Sequence, residues 1–474
     1  MPNPMTGKRV ALLGLGRFGG GLGAARWLAE QGERVRVIDA LSADDLADSI
    51  QALHGLIETG QVELRLSEPA DPSDLLEGCG LLVVNPAVPP RHPLIAQATQ
   101  VGLEQTSEIE LLVERLPERS RVVGVTGTAG KSTTTAMIAH ALSRLDPSAT
   151  THVGGNLGGS LLPKLRGMSA DDWVVLELSS FMLERVREHG LAWSPHAAVL
   201  TNLAPNHLDW HGSLDAYRQA KQAIFTHQQA DADDFAVLGP GLDDLATRPC
   251  VPRLDPGNTP WLSSGRHPNG HAHAGAADQA PLAVPGEHNR QNARMACVVV
   301  GRLLGLAPQQ VWATLTDFSG LPDRLAFVAE RQGVRYYNDS KSTTPEAALL
   351  AIDALTDAGL PPSHPGLHLI LGGYDKGADL AALARIAAVR CAAVYTVGAT
   401  GPTIADTVDR TPGRLSDAVR CAAIDDAVRH ASAQARPGQS VCLSPGCASW
   451  DQFPNYRARG QAFVDAVHAL PSDG

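Results

Sequence analysis

Short apolar runs that stop at glycine or small polar residues recur along the chain, each leading into an alanine- and leucine-rich stretch with helical spacing. Arg9 to Leu13 runs into Gly14-Leu15-Gly16-Arg17-Phe18-Gly19, Leu81 to Asn85 into Pro86-Ala87-Val88-Pro89-Pro90, and Arg121 to Val125 into Thr126-Gly127-Thr128-Ala129-Gly130-Lys131-Ser132. The same pattern predicts strands at Arg34 to Ile38, Trp173 to Leu178, Ala197 to Asn202, Val334 to Tyr337, Leu367 to Leu371, Ala393 to Val397 and Val441 to Leu443. Runs that are apolar throughout, alternating with helices, belong to strands covered on both faces. The expected fold class is therefore α/β, built from mostly parallel, doubly wound sheets.

The 474 residues suggest three such units, at roughly 150 residues each. Breaks near Pro117 to Ser120 and at Gly320-Leu321-Pro322 set the expected domains at 1–118, 119–319 and 320–474. A Pro/Gly/His-rich segment from Pro240 to Pro281 reads as a long surface insertion. Its His267, His271 and His273 alternate with Gly, Ala and Asn, a composition suited to a solvated loop more than to a metal cage.

Composition narrows the function classes. A net charge of −11 and only 4% aromatic residues argue against broad phosphate-backbone binding and against a base-stacking platform, so no nucleic-acid partner is expected. Seven scattered cysteines, mostly in apolar runs, suit reduced thiols in a cytoplasm. No signal-peptide pattern opens the chain and no apolar run reaches the ~18 residues of a membrane span.

Chemistry concentrates in the turns after the strands. Gly14, Leu15, Gly16 and Gly19, with Asp39 closing the next strand, form the pattern of a dinucleotide turn: backbone against a diphosphate, an acid near a ribose or base. A tight strand-to-helix turn would look the same. The second loop is more specific. Peptide N–H groups over Gly127, Thr128, Gly130, Lys131, Ser132 and Thr133 can cradle phosphate oxygens, Lys131 can span the β and γ phosphates, and the Ser132 hydroxyl can ligate Mg2+, although Val125 stands where the longer Walker pattern wants glycine. Glu177 ends an apolar strand before Leu178-Ser179-Ser180, His207 follows the strand ending at Asn202, and Lys221 sits fourteen residues beyond it on a predicted helix. In the third unit Asn338 to Thr344, Gly372 to Gly377 and Ser444 to Trp450 end successive strands. Together they would make a cationic, donor-rich pocket for carboxylates or phosphates.

This constellation resembles the Mur ligase family, and within it the glutamate-adding member. Thr126 to Thr133 is similar to the family's phosphate loop, Gly154-Gly155-Asn156-Leu157-Gly158 to its Gly-Gly-Asn-Ile-Gly, and Glu177-Leu178-Ser179-Ser180-Phe181 to its acidic strand end. His288-Asn289 through Asn292 is similar to the adenine-side His-Asn-X-X-Asn, and Gly320 to Arg324, Asp339 to Thr343 and Leu443 to Phe453 to the C-terminal signatures. Departures are Ala129 for asparagine, Asn85-Pro86-Ala87 for Ser-Pro-Gly, Ala40 for a hydroxyl residue, Asp323 for histidine, Thr344 for asparagine and Tyr456 for phenylalanine.

The resemblance implies an ATP-dependent ligase adding D-glutamate to UDP-N-acetylmuramoyl-L-alanine through an acyl phosphate. It implies catalytic roles for Lys131, Glu177, His207 and Lys221, and two Mg2+ ions held by Ser132, Glu177, His207 and a carbamylated Lys221. Asn289, Asn292, Arg324 and Asp339 would hold the nucleotide. Gly14, Leu15, Gly16 and Asp39 would hold the UDP end, Asn156 and His207 would lie beside the muramoyl-alanine end, and Ser179 would bind substrate. Lys341, Thr343, Lys376 and Ser449 would receive glutamate, Tyr456 would flank it, and Trp450 would bind substrate. A cytoplasmic monomer is expected. The alternatives left open are the same ligation with L-glutamate, a folylpolyglutamate synthase-like ligase, and an NAD(P)-binding oxidoreductase built on the first glycine turn.

Overall fold

A computed structural model describes residues 9–16, 19–67, 72–242, 245, 253–254, 280–356, 366–374 and 377–471. The chain forms two compact units, one of residues 1–278 with 292–313 and the other of residues 279–291 with 314–474.

The first unit carries two all-parallel sheets. One orders its strands β3-β2-β1-β4-β5, with β1 Arg9–Leu13, β2 Val35–Asp39, β3 Val62–Leu66, β4 Cys79–Val84 and β5 Glu104–Thr106. Strand order reverses between β1 and β4, and the crevice above their carboxyl ends is where such sheets bind ligands. The second orders β11-β10-β9-β6-β8-β7, with β6 Val122–Thr126, β7 Thr151–Gly155, β8 Trp173–Glu177, β9 Ala197–Leu200, β10 Phe235–Leu238 and β11 Arg253–Leu254. Its central strands are covered on both faces: Val123, Val125, Val175, Leu176 and Ala197 to Leu200 are 0% exposed. That burial is why their sequences are unbroken apolar runs.

The second unit holds a mixed sheet, β12-β13-β17-β14-β15-β16, with β12 Ala326–Arg331, β13 Val334–Asn338, β14 Leu367–Gly372, β15 Ala393–Val397, β16 Val419–Arg420 and β17 Ser440–Leu443. β12 runs antiparallel to β13 and the other pairs are parallel. The expected α/β class holds, with that antiparallel edge as the exception.

All ten predicted strands are present. Among the described residues the seven not anticipated are β3, β5, β7, β10, β11, β12 and β16, most of them at or near a sheet edge. Edge strands keep polar residues on their open side, as in Val62-Glu63-Leu64-Arg65-Leu66, and lose the continuous apolar signal. β10, four apolar residues long, was simply too short to stand out from a buried helix segment. Apart from β11 and Leu245, residues 243–279 lie outside the described residues, and with them His267, His271 and His273.

Candidate active site

The phosphate loop joins β6 to the helix Lys131–Leu145 and is clasped from β9. Asn202 accepts the Thr128 N–H through its carbonyl at 3.0 Å and the Ala129 N–H through Oδ1 at 2.9 Å, while its amide donates to the Ala129 carbonyl at 3.0 Å. Thr201 Oγ1 donates to the same carbonyl at 2.5 Å. At Gly127, φ is 146° and a Cβ would sit 1.9 Å from Thr201 Oγ1, so the close approach of β9 requires glycine. Asn292 Oδ1 takes the Thr134 hydroxyl at 3.2 Å, which makes this residue a brace of the loop's helix. Lys131 Nζ folds back onto the Thr128 carbonyl at 2.9 Å. Asn202 was not singled out from the sequence; its only signal was its place at the end of a strand.

β8 lies beside β6, with Glu177 opposite Val125, so the carboxylate ends beside the phosphate loop. Glu177 is 1% exposed; Oε1 accepts from Asn156 Nδ2 at 2.9 Å and Oε2 is buried without a partner. A buried carboxylate oxygen left unpaired is costly, and a cation would offset it. Ser179 caps the next helix, Ser180–Glu188, accepting the Met182 N–H at 3.2 Å.

Lys221, 1% exposed on the helix Leu214–Gln222, donates to the Gly127 carbonyl at 2.8 Å and lies 4.8 Å from the Tyr217 ring centre. Burial, then the nearby Lys131 charge, lowers its pKa to about 6 against a smaller opposing pull from Glu177. That shift favours the neutral amine, the form that can take up CO2. Tyr217 OH in turn shares a 2.9 Å hydrogen bond with Thr128 Oγ1. His207 adopts φ 51°, ψ 35°, unusual for a residue other than glycine. Its ring lies 4.8 Å from that of Phe181, and burial with the Lys131 and Lys221 charges lowers its pKa. Among the described residues no three His, Cys, Asp or Glu side chains form a ready metal cage. The donors that fit Mg2+ here are the unpaired Glu177 oxygen and the Ser132 hydroxyl, completed by phosphate oxygens and, if carbamylated, Lys221.

In the first sheet, Gly14 (φ 89°) packs so tightly on the β4 turn that a Cβ would meet Asn85 Cβ at 2.9 Å and Val88 Cγ2 at 3.1 Å. Asn85 Nδ2 donates to the Gly14 carbonyl at 3.0 Å, and Leu15 is fully buried. Asp39 accepts the Gly16 N–H at 3.0 Å and the Leu41 N–H at 2.9 Å, so its carboxylate shapes the turn from within.

In the second unit the loops after β13, β14 and β17 meet: Gly446 N–H donates to the Ser342 carbonyl, and Gly372 and Tyr374 N–H to those of Pro445 and Ala448. Arg459, 2% exposed, binds them together, donating to Ser340 Oγ and to the carbonyls of Ser340, Cys447 and Ala448 at 2.9–3.0 Å. Asp339 accepts from Ser342 Oγ, Ser444 Oγ and the Leu325 N–H, and burial raises its pKa to about 6. These donors make it an organiser of the loops. Lys341 is exposed over the Tyr456 ring at 5.5 Å, Ser449 is buried, Thr343 is half-buried, and Trp450 lies 61% exposed beside Tyr374. Arg324 is exposed; Asn289 Nδ2 donates to the Pro285 carbonyl at 2.7 Å. Lys376 lies outside the described residues. Sequence reading missed Arg459, whose position on a C-terminal helix carries no motif.

Comparison with known proteins matches the chain to three domain families in order: the Mur ligase MurD-like N-terminal domain over residues 8–107, the Mur ligase middle domain over 125–248, and the Mur ligase glutamate ligase domain over 323–447. The UDP-N-acetylmuramoylalanine–D-glutamate ligase of Acidobacterium capsulatum is 36% identical, covering 98% of this chain and 97% of its own. The ligase of the same name from a Roseiflexus species is also 36% identical, over 98% and 99%. Among solved structures, the UDP-N-acetylmuramate–alanine ligase MurC of Thermotoga maritima shares the fold at a TM-score of 0.56 and 17% identity, over 98% of this chain and 100% of its own.

Proposed function

The chain belongs to the Mur ligase family, and from that premise we propose that it joins D-glutamate to UDP-N-acetylmuramoyl-L-alanine with ATP, in peptidoglycan precursor synthesis. It is an ATP-dependent amide-forming ligase, and the names of its full-length relatives carry the substrate assignment. The observation that favours chemistry at this site is Glu177 Oε2, buried and unpaired beside the phosphate loop.

In this reading the three domains, 1–118, 119–319 and 320–474, bind the UDP end, ATP and glutamate respectively. A carboxylate is a poor electrophile, so the acceptor's carboxylate oxygen first takes the γ-phosphoryl group and ADP leaves. The neutral glutamate amine then attacks the acyl carbon and phosphate departs, which forms the amide. Lys131 and the N–H groups opening the helix Lys131–Leu145 receive the charge gathering on phosphate oxygens. Mg2+, when bound, would neutralise phosphate charge and polarise the reacting oxygens. Ser132 and Glu177 would hold one ion, and His207 and carbamylated Lys221 a second. Asn156 orients Glu177, while Ser179 lies at the acceptor end.

Gly14, Leu15 and Gly16 would hold the diphosphate with their backbone, Asp39 keeping the turn in shape beside the uracil. Asn289, Asn292, Arg324 and Asp339 would organise the nucleotide site. Lys341, Thr343, Lys376, Ser449, Trp450 and Tyr456 would receive glutamate. In this reading the enzyme is a cytoplasmic monomer; among the described residues no helix is long and apolar enough to cross a membrane.

The test is phosphate release from ATP with UDP-N-acetylmuramoyl-L-alanine and each glutamate enantiomer. Release with D-glutamate is expected. Release with L-glutamate alone would overturn the stereochemical assignment, and release with neither would overturn the substrate.

A further inference from the structure

The turn that packs on Gly14 is tied to the second sheet by a buried arginine. Residues 85–92 connect β4 to the helix Pro93–Gln100, and the Val88 side chain lies against Gly14. Arg185 comes from the helix Ser180–Glu188, which starts three residues after Glu177. It is 1% exposed and its Nη2 donates to the Val88 carbonyl at 2.6 Å. Glu188 takes Nη1 at 3.0 Å, and Nε is buried without a partner. The same turn makes a longer contact to the His207 loop, Arg91 Nη2 to the Asp209 carbonyl at 3.4 Å. A fully buried guanidinium with one donor unused is expensive to keep for packing alone.

We propose that Arg185 is a positioning residue that sets the acceptor-binding turn of the first sheet against the catalytic edge of the second. The inference rests on the proposed ligase reaction. The two ends of the acceptor would then be held by elements of different sheets: its diphosphate by the Gly14 turn, and its carboxylate near Glu177 and His207. Arg185 spans that gap through two short rigid links, the helix leading back to Ser179 and the Val88 contact leading to Gly14. It touches no reacting atom. Its effect is on alignment, and misalignment of about 1 Å far from the chemistry can cost a hundredfold in rate.

The experiment compares wild type, Arg185→Ala and Arg185→Lys by acceptor kinetics, by UDP and ATP binding measured separately, and by hydrogen exchange of the free enzyme. For Arg185→Ala, kcat/KM for the acceptor is expected to fall roughly ten- to a hundredfold. UDP and ATP affinities should each stay within about threefold, because Arg185 bonds to Val88 and Glu188, neither of them in the Gly14 turn or the phosphate loop. The amides of Ala87, Val88, Arg91 and His92 should exchange faster while those of the helix Ser180–Glu188 do not, and Arg185→Lys, which can still donate to the carbonyl, should recover part of the loss. The proposal is overturned if kcat/KM stays within about twofold, or if UDP and ATP affinities fall in proportion to it. Wild-type enzyme that binds UDP and ATP yet shows no turnover would sink the ligase reading alone. In that case unchanged exchange over 86–92 in Arg185→Ala would still sink the tie.

Discussion

Asn156 Nδ2 donates to Glu177 Oε1 at 2.9 Å and leaves Oε2 buried with no partner. One side of the carboxylate is thereby fixed by protein, and the other is free for a cation. Glu177→Gln is expected to lower ligase activity by about two orders of magnitude or more. Without Mg2+ and nucleotide its melting temperature should be no lower than wild type, because an uncompensated buried charge has been removed. Thermal melts with and without MgATP check this. A variant that keeps the wild-type upward shift with MgATP would show that Glu177 holds no metal.

Lys221 tests differently because burial lowers its pKa to about 6, which favours the neutral amine. Carbon-13 NMR of enzyme equilibrated with labelled bicarbonate is expected to show one carbamate signal that Lys221→Ala lacks, with activity down at least about a hundredfold. The unfolded lysine titrates near 10.4, so between about pH 6 and 10 the unfolded chain binds the extra proton. This group therefore makes stability rise with pH across that window. Lys221→Met should flatten that slope in urea-unfolding midpoints.

Asn202 holds the phosphate loop through three hydrogen bonds at 2.9–3.0 Å. Asn202→Ala keeps the backbone contact and loses the two side-chain bonds. A rise of about thirtyfold in KM for ATP is expected, with KM for the UDP acceptor little changed, at roughly 1 kcal/mol for each of the two bonds lost. Equal rises in both constants would mean a general loss of structure.

Glu108 is buried in the first unit, bonded to Ser160 Oγ at 2.5 Å, and burial raises its pKa to about 7 against the pull of that bond. In the native state it holds its proton between roughly pH 4.5 and 7, where the unfolded carboxyl has lost it. Its contribution to stability therefore falls as pH rises through that range. The loss is at most on the order of 3 kcal/mol. Glu108→Gln should raise the melting temperature at pH 8 relative to wild type and leave it little changed at pH 4.5. An equal shift at both pH values would contradict the titration.

Much of the scaffold was legible because its central strands are buried on both faces and spell themselves out as apolar runs, as in Val122 to Val125 and Val174 to Leu176. The phosphate loop was legible too, since glycine, lysine and hydroxyl residues at fixed spacing follow from the geometry of a helix N-terminus. Edge strands such as Val62–Leu66 and Ala326–Arg331 were hidden by their half-exposed, polar-rich pattern. Arg185, Asn202 and Arg459 were hidden for another reason. Each acts by donating to backbone carbonyls, and a carbonyl has no signature in the residue that carries it.

The sequence by itself determined the α/β class, the order of the three sheets and the residue types at their carboxyl ends, because local spacing and burial period are written in neighbouring residues. Only the tertiary structure decided which of those residues keep an oxygen unpaired and which serve the loops: Asp39 turned inward to Gly16, Asp339 enclosed by two hydroxyls and an N–H, and Glu177 left with one oxygen unpaired. The reason is that a carboxylate's role depends on which donors surround it. Most of those donors come from strands and loops distant in sequence, as Gly16 is from Asp39 and Ser444 from Asp339, brought within about 3 Å by the packing of whole sheets.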